Sequence, residues 1–165
     1  CDSQSTERRK SCIIVLNIIL EALVKWFAPI LSFTTEEIFK LINKDNKSIH
    51  LQEFIEFPKS FENEQLGKKW IELKKVRDIC NVSIEEKRAS KEIGSSLEAN
   101  LIISLNKNLI ELIKNIDMAE LCITSAAEII KTSSHETTAQ TKKAEGKKCV
   151  VCWKINKDGC ARHSN

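Results

Sequence analysis

Between residues 12 and 31 almost every position is apolar, and the exceptions fall on one line. Asn17, Glu21 and Lys25 recur every fourth residue, which on a helix places them in a single stripe, with Glu21 ahead of Lys25 in the favourable i, i+4 order. An apolar stretch of this length raises the question of a membrane span. The polar stripe predicts instead a soluble helix covered on most sides, as in a bundle. Pro29 ends or kinks that helix, because it lacks the backbone donor and disfavours helical geometry in the residue before it. Thr34 and Glu37, three residues apart, have the form of a capping box for a second helix, whose buried face is Ile38, Phe39, Leu41 and Ile42.

Residues 43–48 are polar and predict a loop, after which Ile49, Leu51, Phe54, Ile55 and Phe57 predict an extended connection that stops at Pro58. Over residues 62–89 the apolar side chains Leu66, Trp70, Leu73, Val76, Ile79 and Cys80 recur at spacings of three and four, the pattern of a long amphipathic helix. Its opposite face carries Lys68, Lys69, Lys74, Lys75 and Arg77. RNA phosphates or plain solvent would suit such a face, and solvent is the preferred reading.

The helical pattern breaks at Ile93-Gly94-Ser95-Ser96, and the alternation of Leu101, Ile103 and Leu105 predicts a strand over 97–105. Asn106 is placed to cap a short helix through Leu109, Leu112, Ile113 and Ile116, and residues 121–124 and 128–130 predict further strands. Residues 132–141, rich in Ser and Thr, predict a linker or an irregular strand.

Composition agrees with helices. A chain of 165 residues that is 42% hydrophobic can bury one core plus a small satellite, and four Gly with two Pro leave little material for the turns of an all-β fold. The predicted fold class is mainly α: a helical bundle over 1–92, a small α/β junction unit with a linker over 93–141, and a C-terminal knuckle over 142–165.

Charge changes the picture only when divided along the chain. Residues 131–165 hold eight Lys or Arg against three acidic residues, a net +5, whereas residues 1–130 hold 18 against 20, a net −2. A basic tail suits an anionic partner, nucleic acid being the commonest in the cytosol; a tail that is merely solvated is the alternative. Seven Cys, an odd number with no secretory signal, predict a reduced, cytoplasmic protein. Cys1, Cys12, Cys80 and Cys122 are scattered, and the expectation for them is inert packing.

The remaining cysteines form a pattern. Cys149-x-x-Cys152 is followed, after seven residues, by Cys160-x-x-His163. Two residues between paired ligands let a tight turn bring both side chains to one metal, and two such pairs complete the tetrahedral shell that zinc prefers, with sulfur at ~2.3 Å and nitrogen at ~2.0 Å. Such a shell has no open position for water, so the expected metal is one structural Zn2+ rather than a catalytic one. A redox motif and a metal-free remnant are the alternatives. Trp153 follows the first pair and is placed either to cover the metal as a small hydrophobic core, the preferred role, or to stack on an exposed base. Lys142, Lys143, Lys147, Lys148, Lys154, Lys157 and Arg162 surround it, and basic groups beside one aromatic would bind RNA mainly through phosphates, with strong salt dependence.

Several strings resemble the C-terminal end of bacterial isoleucyl-tRNA synthetases, class I aminoacyl-tRNA ligases. Cys1-Asp2-Ser3, Arg8-Arg9, Ile19-Leu20-Glu21-Ala22-Leu23-Val24 and Phe27-Ala28-Pro29-Ile30-Leu31-Ser32-Phe33-Thr34 resemble the start of the helical anticodon-binding domain. Ser48-Ile49-His50-Leu51-Gln52 and Ile93-Gly94-Ser95-Ser96-Leu97-Glu98-Ala99 resemble later stretches, and Lys143-Ala144-Glu145-Gly146-Lys147-Lys148-Cys149 with Cys152-Trp153 the entry to the terminal zinc module. The Ala28-Pro29-Ile30-Leu31 portion is shared with valyl and leucyl relatives; the Ile93 to Ala99 string with the zinc module downstream is more specific. The family more often closes its metal site with a second Cys-x-x-Cys after a longer insertion, whereas here the insertion is short and the last ligand is His163.

The resemblance implies an anticodon-binding segment with no catalytic residues of its own. The HIGH-type and KMSKS-type nucleotide-binding sequences and the editing region are absent from these residues, so ATP is expected to be bound only in the parent enzyme. The implied partners are the anticodon arm of an isoleucine tRNA and the catalytic remainder of the synthetase, with no membrane; the chain is expected to be a monomeric fragment. A free-standing zinc-knuckle module binding nucleic acid is the alternative.

Overall fold

Helix α1 (Glu7–Phe27) and helix α2 (Ser32–Ile42) are joined by a turn over residues 28–31, where the N–H groups of Ile30 and Leu31 both donate to the Phe27 carbonyl at 3.0 and 2.8 Å. This tight exit lets α2 begin two residues before the predicted cap. Thr34 and Glu37 therefore lie inside the helix, and it is Thr35 whose hydroxyl bonds the Leu31 carbonyl, at 2.9 Å. The structure, a computed structural model, describes residues 6–43, 47–134, 136–160 and 163. The chain falls into two compact units, residues 1–62 and 63–165.

In the first unit Val24, Ala28 and Ile49 form a small core, against which Ile38 and Phe39 pack. Of α1 only Ala22 and Val24 are buried, so the expectation of a helix covered on most sides is not met within this unit: one short helix and one turn cover one side of it. The segment predicted to be extended opens instead with a 3-10 turn, Ile49–Leu51. Its cause lies in α2, where the Glu36 carboxylate accepts from the Ile49 N–H at 2.8 Å and the Ser48 hydroxyl at 2.9 Å. Lys40, 2.9 Å away, pairs with the same carboxylate. Lys40 and the Ile49 amide together hold the Glu36 carboxyl down to about 2. Trp26 meets Phe57 edge to face at 6.1 Å.

The second unit opens with helix α3 (Glu64–Ala89), capped by Asn63, whose side chain accepts from the Leu66 N–H at 2.9 Å. The spacing read from the sequence holds in its middle, where Leu73, Val76, Cys80 and Ile84 are buried, whereas Leu66 and Trp70 in the first turns are exposed. Strand β1 (Ala99–Leu105) alternates as predicted: Ala99, Leu101, Ile103 and Leu105 are fully buried in one core with the α3 residues. A one-residue slip would turn all four to the opposite face.

Asn106 caps helix α4 (Lys107–Ile113) through a 3.0 Å bond from the Leu109 N–H. Residues 121–124, expected to be a strand, belong instead to the end of helix α5 (Met118–Leu121) and the turn after it, because Asp117 caps Glu120 and Ile123 takes a left-handed conformation at φ 57°. Strand β2 (Ala126–Lys131) then pairs parallel to β1, and strand β3 (Thr138–Lys143) pairs antiparallel on its other side, giving the order β2-β1-β3. The parallel pair needs the long helical crossover that α4 and α5 supply. On β3, Thr141 is buried and its hydroxyl meets that of Ser83 on α3 at 2.9 Å. Helices thus predominate, with one small mixed sheet. Among the described residues no helix is long and apolar enough to cross a membrane.

Candidate metal centre and basic surface

The tail is organised by a two-stranded ribbon, β4 (Lys147–Lys148) and β5 (Ile155–Asn156), with Lys147 opposite Asn156 and Lys148 opposite Ile155. The turn between them closes on itself. Cys149 N–H donates to the Lys154 carbonyl at 2.9 Å and Trp153 N–H to the Cys149 carbonyl at 3.0 Å. Trp153 turns the chain at φ 64°. Gly146, at φ 129°, enters the ribbon where an added Cβ would stand 2.3 Å from the Asn156 carbonyl oxygen, so only glycine fits there.

This turn, with the segment carrying Cys160 and His163, brings the four predicted ligands together. Their donor atoms all lie within 4.8 Å of one another. Cys152 Sγ is 3.6 Å from Cys160 Sγ, and His163 Nδ1 is 3.5 Å from Cys149 Sγ and 3.3 Å from Cys160 Sγ. A regular tetrahedron built on zinc bond lengths has edges of ~3.8 Å between sulfurs and ~3.6 Å between sulfur and nitrogen. The observed separations are close to those edges, and the donor set of three thiols and one imidazole suits zinc chemically.

The turn also prepares one ligand. Cys149 Sγ accepts from the Val151 N–H at 3.4 Å, and the backbone amides of Cys152 and Val151 pull its thiol down to about 6. Burial pushes the Cys152 thiol up.

Two anchors hold the ribbon to the sheet. Ile155 N–H donates to Ser125 Oγ at 2.6 Å, and the Ser125 hydroxyl donates onward to the Leu97 carbonyl. Glu98 receives the Gly94 N–H at 2.9 Å, approaches Lys148 at 3.7 Å and gives its carbonyl to the Ala144 N–H at 2.7 Å. The Gly94 amide, with the charges of Lys148 and Lys143 behind it, holds the Glu98 carboxyl below the usual carboxylate range.

The basic residues read from the sequence lie on this frame. Lys142 and Lys143 end β3, Lys147 and Lys148 form β4, and Lys154 closes the turn. Arg162 lies outside the described residues. Trp153 is 59% exposed, which corrects the preferred expectation that it covers the metal ligands: the left-handed turn carries its indole outward. Of the scattered cysteines, Cys80 and Cys122 are buried as expected, Cys12 is exposed, and Cys1 lies outside the described residues. Ser125 carried no signal in the sequence, since a lone Ser before a strand has no pattern to read.

Known proteins supply the remaining observation. Residues 2–103 match the anticodon-binding domain of tRNA ligase. The chain belongs to that family. The match covers α1, α2, α3 and most of β1 and stops before the metal ligands. Its relatives include the isoleucine–tRNA ligase of Pelagibacter ubique (strain HTCC1062), 68% identical over 100% of this chain and 18% of the relative. The isoleucine–tRNA ligases of Bartonella henselae and Agrobacterium fabrum are 37% and 34% identical over 96% of this chain, and 17% and 18% of those proteins. The chain therefore spans less than a fifth of the length of the relatives it matches. The resemblance read from the strings at Ile93 to Ala99 and Phe27 to Thr34 is thus upheld over the whole chain.

Proposed function

We propose that these 165 residues are the tRNA-binding segment of an isoleucine–tRNA ligase, docking on the anticodon arm of the isoleucine tRNA in the cytoplasm while aminoacylation and ATP use belong to the rest of the enzyme. The observation that carries this reading is the match of residues 2–103 to the anticodon-binding domain, joined to the likeness to the isoleucine–tRNA ligases named above. Cys149, Cys152, Cys160 and His163 hold one structural zinc, which fastens the ribbon to the segment after it and performs no chemistry. Lys142, Lys143, Lys147, Lys148, Lys154 and Arg162 meet phosphates, and the exposed Trp153 stacks on a base.

Titration with isoleucine tRNA and an unrelated tRNA at several salt concentrations tests this. Tighter binding of the isoleucine tRNA that persists as salt rises is expected. Equal, wholly salt-driven binding to both overturns the specificity, and a preference for duplex DNA overturns the reading.

A further inference from the structure

A cleft of about 340 Å³ separates β3 from the metal-bearing ribbon, at the small end of the roughly 300–1,000 Å³ range of ligand pockets. Its floor is Asn100, on the sheet face turned away from the β1 core, in register with Lys142 of β3 on one side and Ala126 of β2 on the other. Lys142 and Lys143 form one wall, and Asn156 and Lys157 the other. Three lysines thus face one glutamate, Glu145, which is held by Lys157 at 3.0 Å. Lys142 enters no ion pair among the described residues. The cleft is electropositive and its walls come from two separate elements.

Asn100 supplies a second, independent observation. Its Oδ1 is buried and accepts no hydrogen bond, although buried polar atoms are nearly always partnered. The terminal torsion of an Asn side chain is soft, so a turn of the carboxamide presents this acceptor to the cleft. The ligand that completes it must bring a donor. Among the backbone groups of a nucleic acid, a phosphodiester brings none and neither does a deoxyribose within a strand; a ribose brings its 2′-hydroxyl, and a base N–H, common to DNA and RNA, is separated from it by comparing the two.

We propose that this cleft seats one ribose–phosphate unit of an RNA strand, with Lys142, which shares the Asn100 face of the sheet, on the phosphate and Asn100 Oδ1 accepting from the 2′-hydroxyl. The proposal rests on the anticodon-arm reading and deepens it: Asn100 becomes the residue by which the segment distinguishes RNA from DNA. Ser125 sets the width of the cleft, because its bond to Ile155 fixes the ribbon wall.

The test is fluorescence anisotropy of the 165-residue chain against a short stem-loop RNA and the same sequence as DNA, over a range of salt. The intact chain should prefer the RNA. Asn100→Ala should lose about tenfold on RNA and little on DNA, collapsing the preference. Asn100→Asp keeps the acceptor and adds a repelling charge, so it should weaken binding to both while keeping their ratio, with an unchanged urea midpoint separating this from a misfolded variant, whose lower competent fraction would also keep the ratio. Lys142→Ala should weaken both and reduce the salt slope by about 0.7–0.9. Equal loss on RNA and DNA in Asn100→Ala, or no loss, overturns the proposal while leaving tRNA binding intact. Failure of the unaltered chain to bind any RNA overturns the anticodon-arm reading and this proposal together.

Discussion

Ile155 donates its backbone hydrogen to Ser125 at 2.6 Å across 30 residues of chain, and so ties the ribbon flanking Cys149 and Cys152 to the end of the central sheet. Ser125 is 7% exposed and uses its hydroxyl in both directions, accepting from Ile155 and donating to Leu97. Ser125→Ala leaves a donor and an acceptor unpaired at a nearly closed site. A loss of ~1–3 kcal/mol is expected, measured by urea denaturation, with faster hydrogen exchange at the Ile155 amide. Metal content should remain near one per chain, because the four ligands lie within the tail.

Gly146→Ala tests the ribbon more severely. The new methyl would meet the Asn156 carbonyl at 2.3 Å in a backbone region closed to alanine. A cost of at least ~1–3 kcal/mol is expected, and it falls on the one turn that assembles Cys149 and Cys152. Zinc content by elemental analysis should drop sharply while the far-UV signal of the helices persists. Full zinc retention would count against the ribbon geometry.

Removing the metal ligands should have a confined effect. Cys149→Ser with Cys152→Ser is expected to abolish zinc binding and to loosen residues 147–163, since the ribbon has only two residues in each strand. The core of Leu101, Ile103 and Leu105 with α3 does not include Cys149, Cys152 or Cys160 and should keep its hydrogen-exchange protection. Global unfolding of the second unit on chelation would contradict this. Within that core, Leu101→Ala should cost ~2–5 kcal/mol by urea denaturation.

The first unit carries an acid-sensitive contact. The Glu36 carboxyl, ordinarily near 4.5, is held at about 2 by Lys40 and the Ile49 amide. A depressed folded-state value means that the stabilisation is fully present above about 4.5 and is lost as pH falls through about 2. The Ile49 amide resonance should therefore follow a titration centred near 2, and Glu36→Gln should remove it. A midpoint near 4.5 in the unaltered chain would show that the bond does not form.

Local patterns were legible, and contacts across long distances in the chain were not. The middle of the α3 face at Leu73, Val76 and Cys80, the alternation in β1 and the cap at Asn106 depend on neighbours within four residues, and each is found where the sequence places it, whereas Leu66 and Trp70 are exposed. The convergence of Cys149, Cys152, Cys160 and His163 belongs to the same class, because their pairwise spacing encodes the turn. The turn at Ile49–Leu51 has an extended pattern in the sequence, since its cause, Glu36, lies 13 residues away. Leu121-Cys122-Ile123-Thr124 resembles a strand by composition, yet the Asp117 cap before it starts a helical turn. Trp153 points outward because of a left-handed backbone that no side-chain pattern announces. Ser125 and Asn100 acquire meaning only once β1, β2 and the ribbon stand side by side.

The order of these elements along the chain has a consequence for synthesis. Every strand of the β2-β1-β3 sheet is complete by Lys143, whereas the ligands begin at Cys149 and end at His163. On the ribosome the sheet and α3 can close before the last thiol and the imidazole emerge. A metal ion would then be captured by a scaffold already standing, and without it the chain would be folded in the body and frayed at the tail.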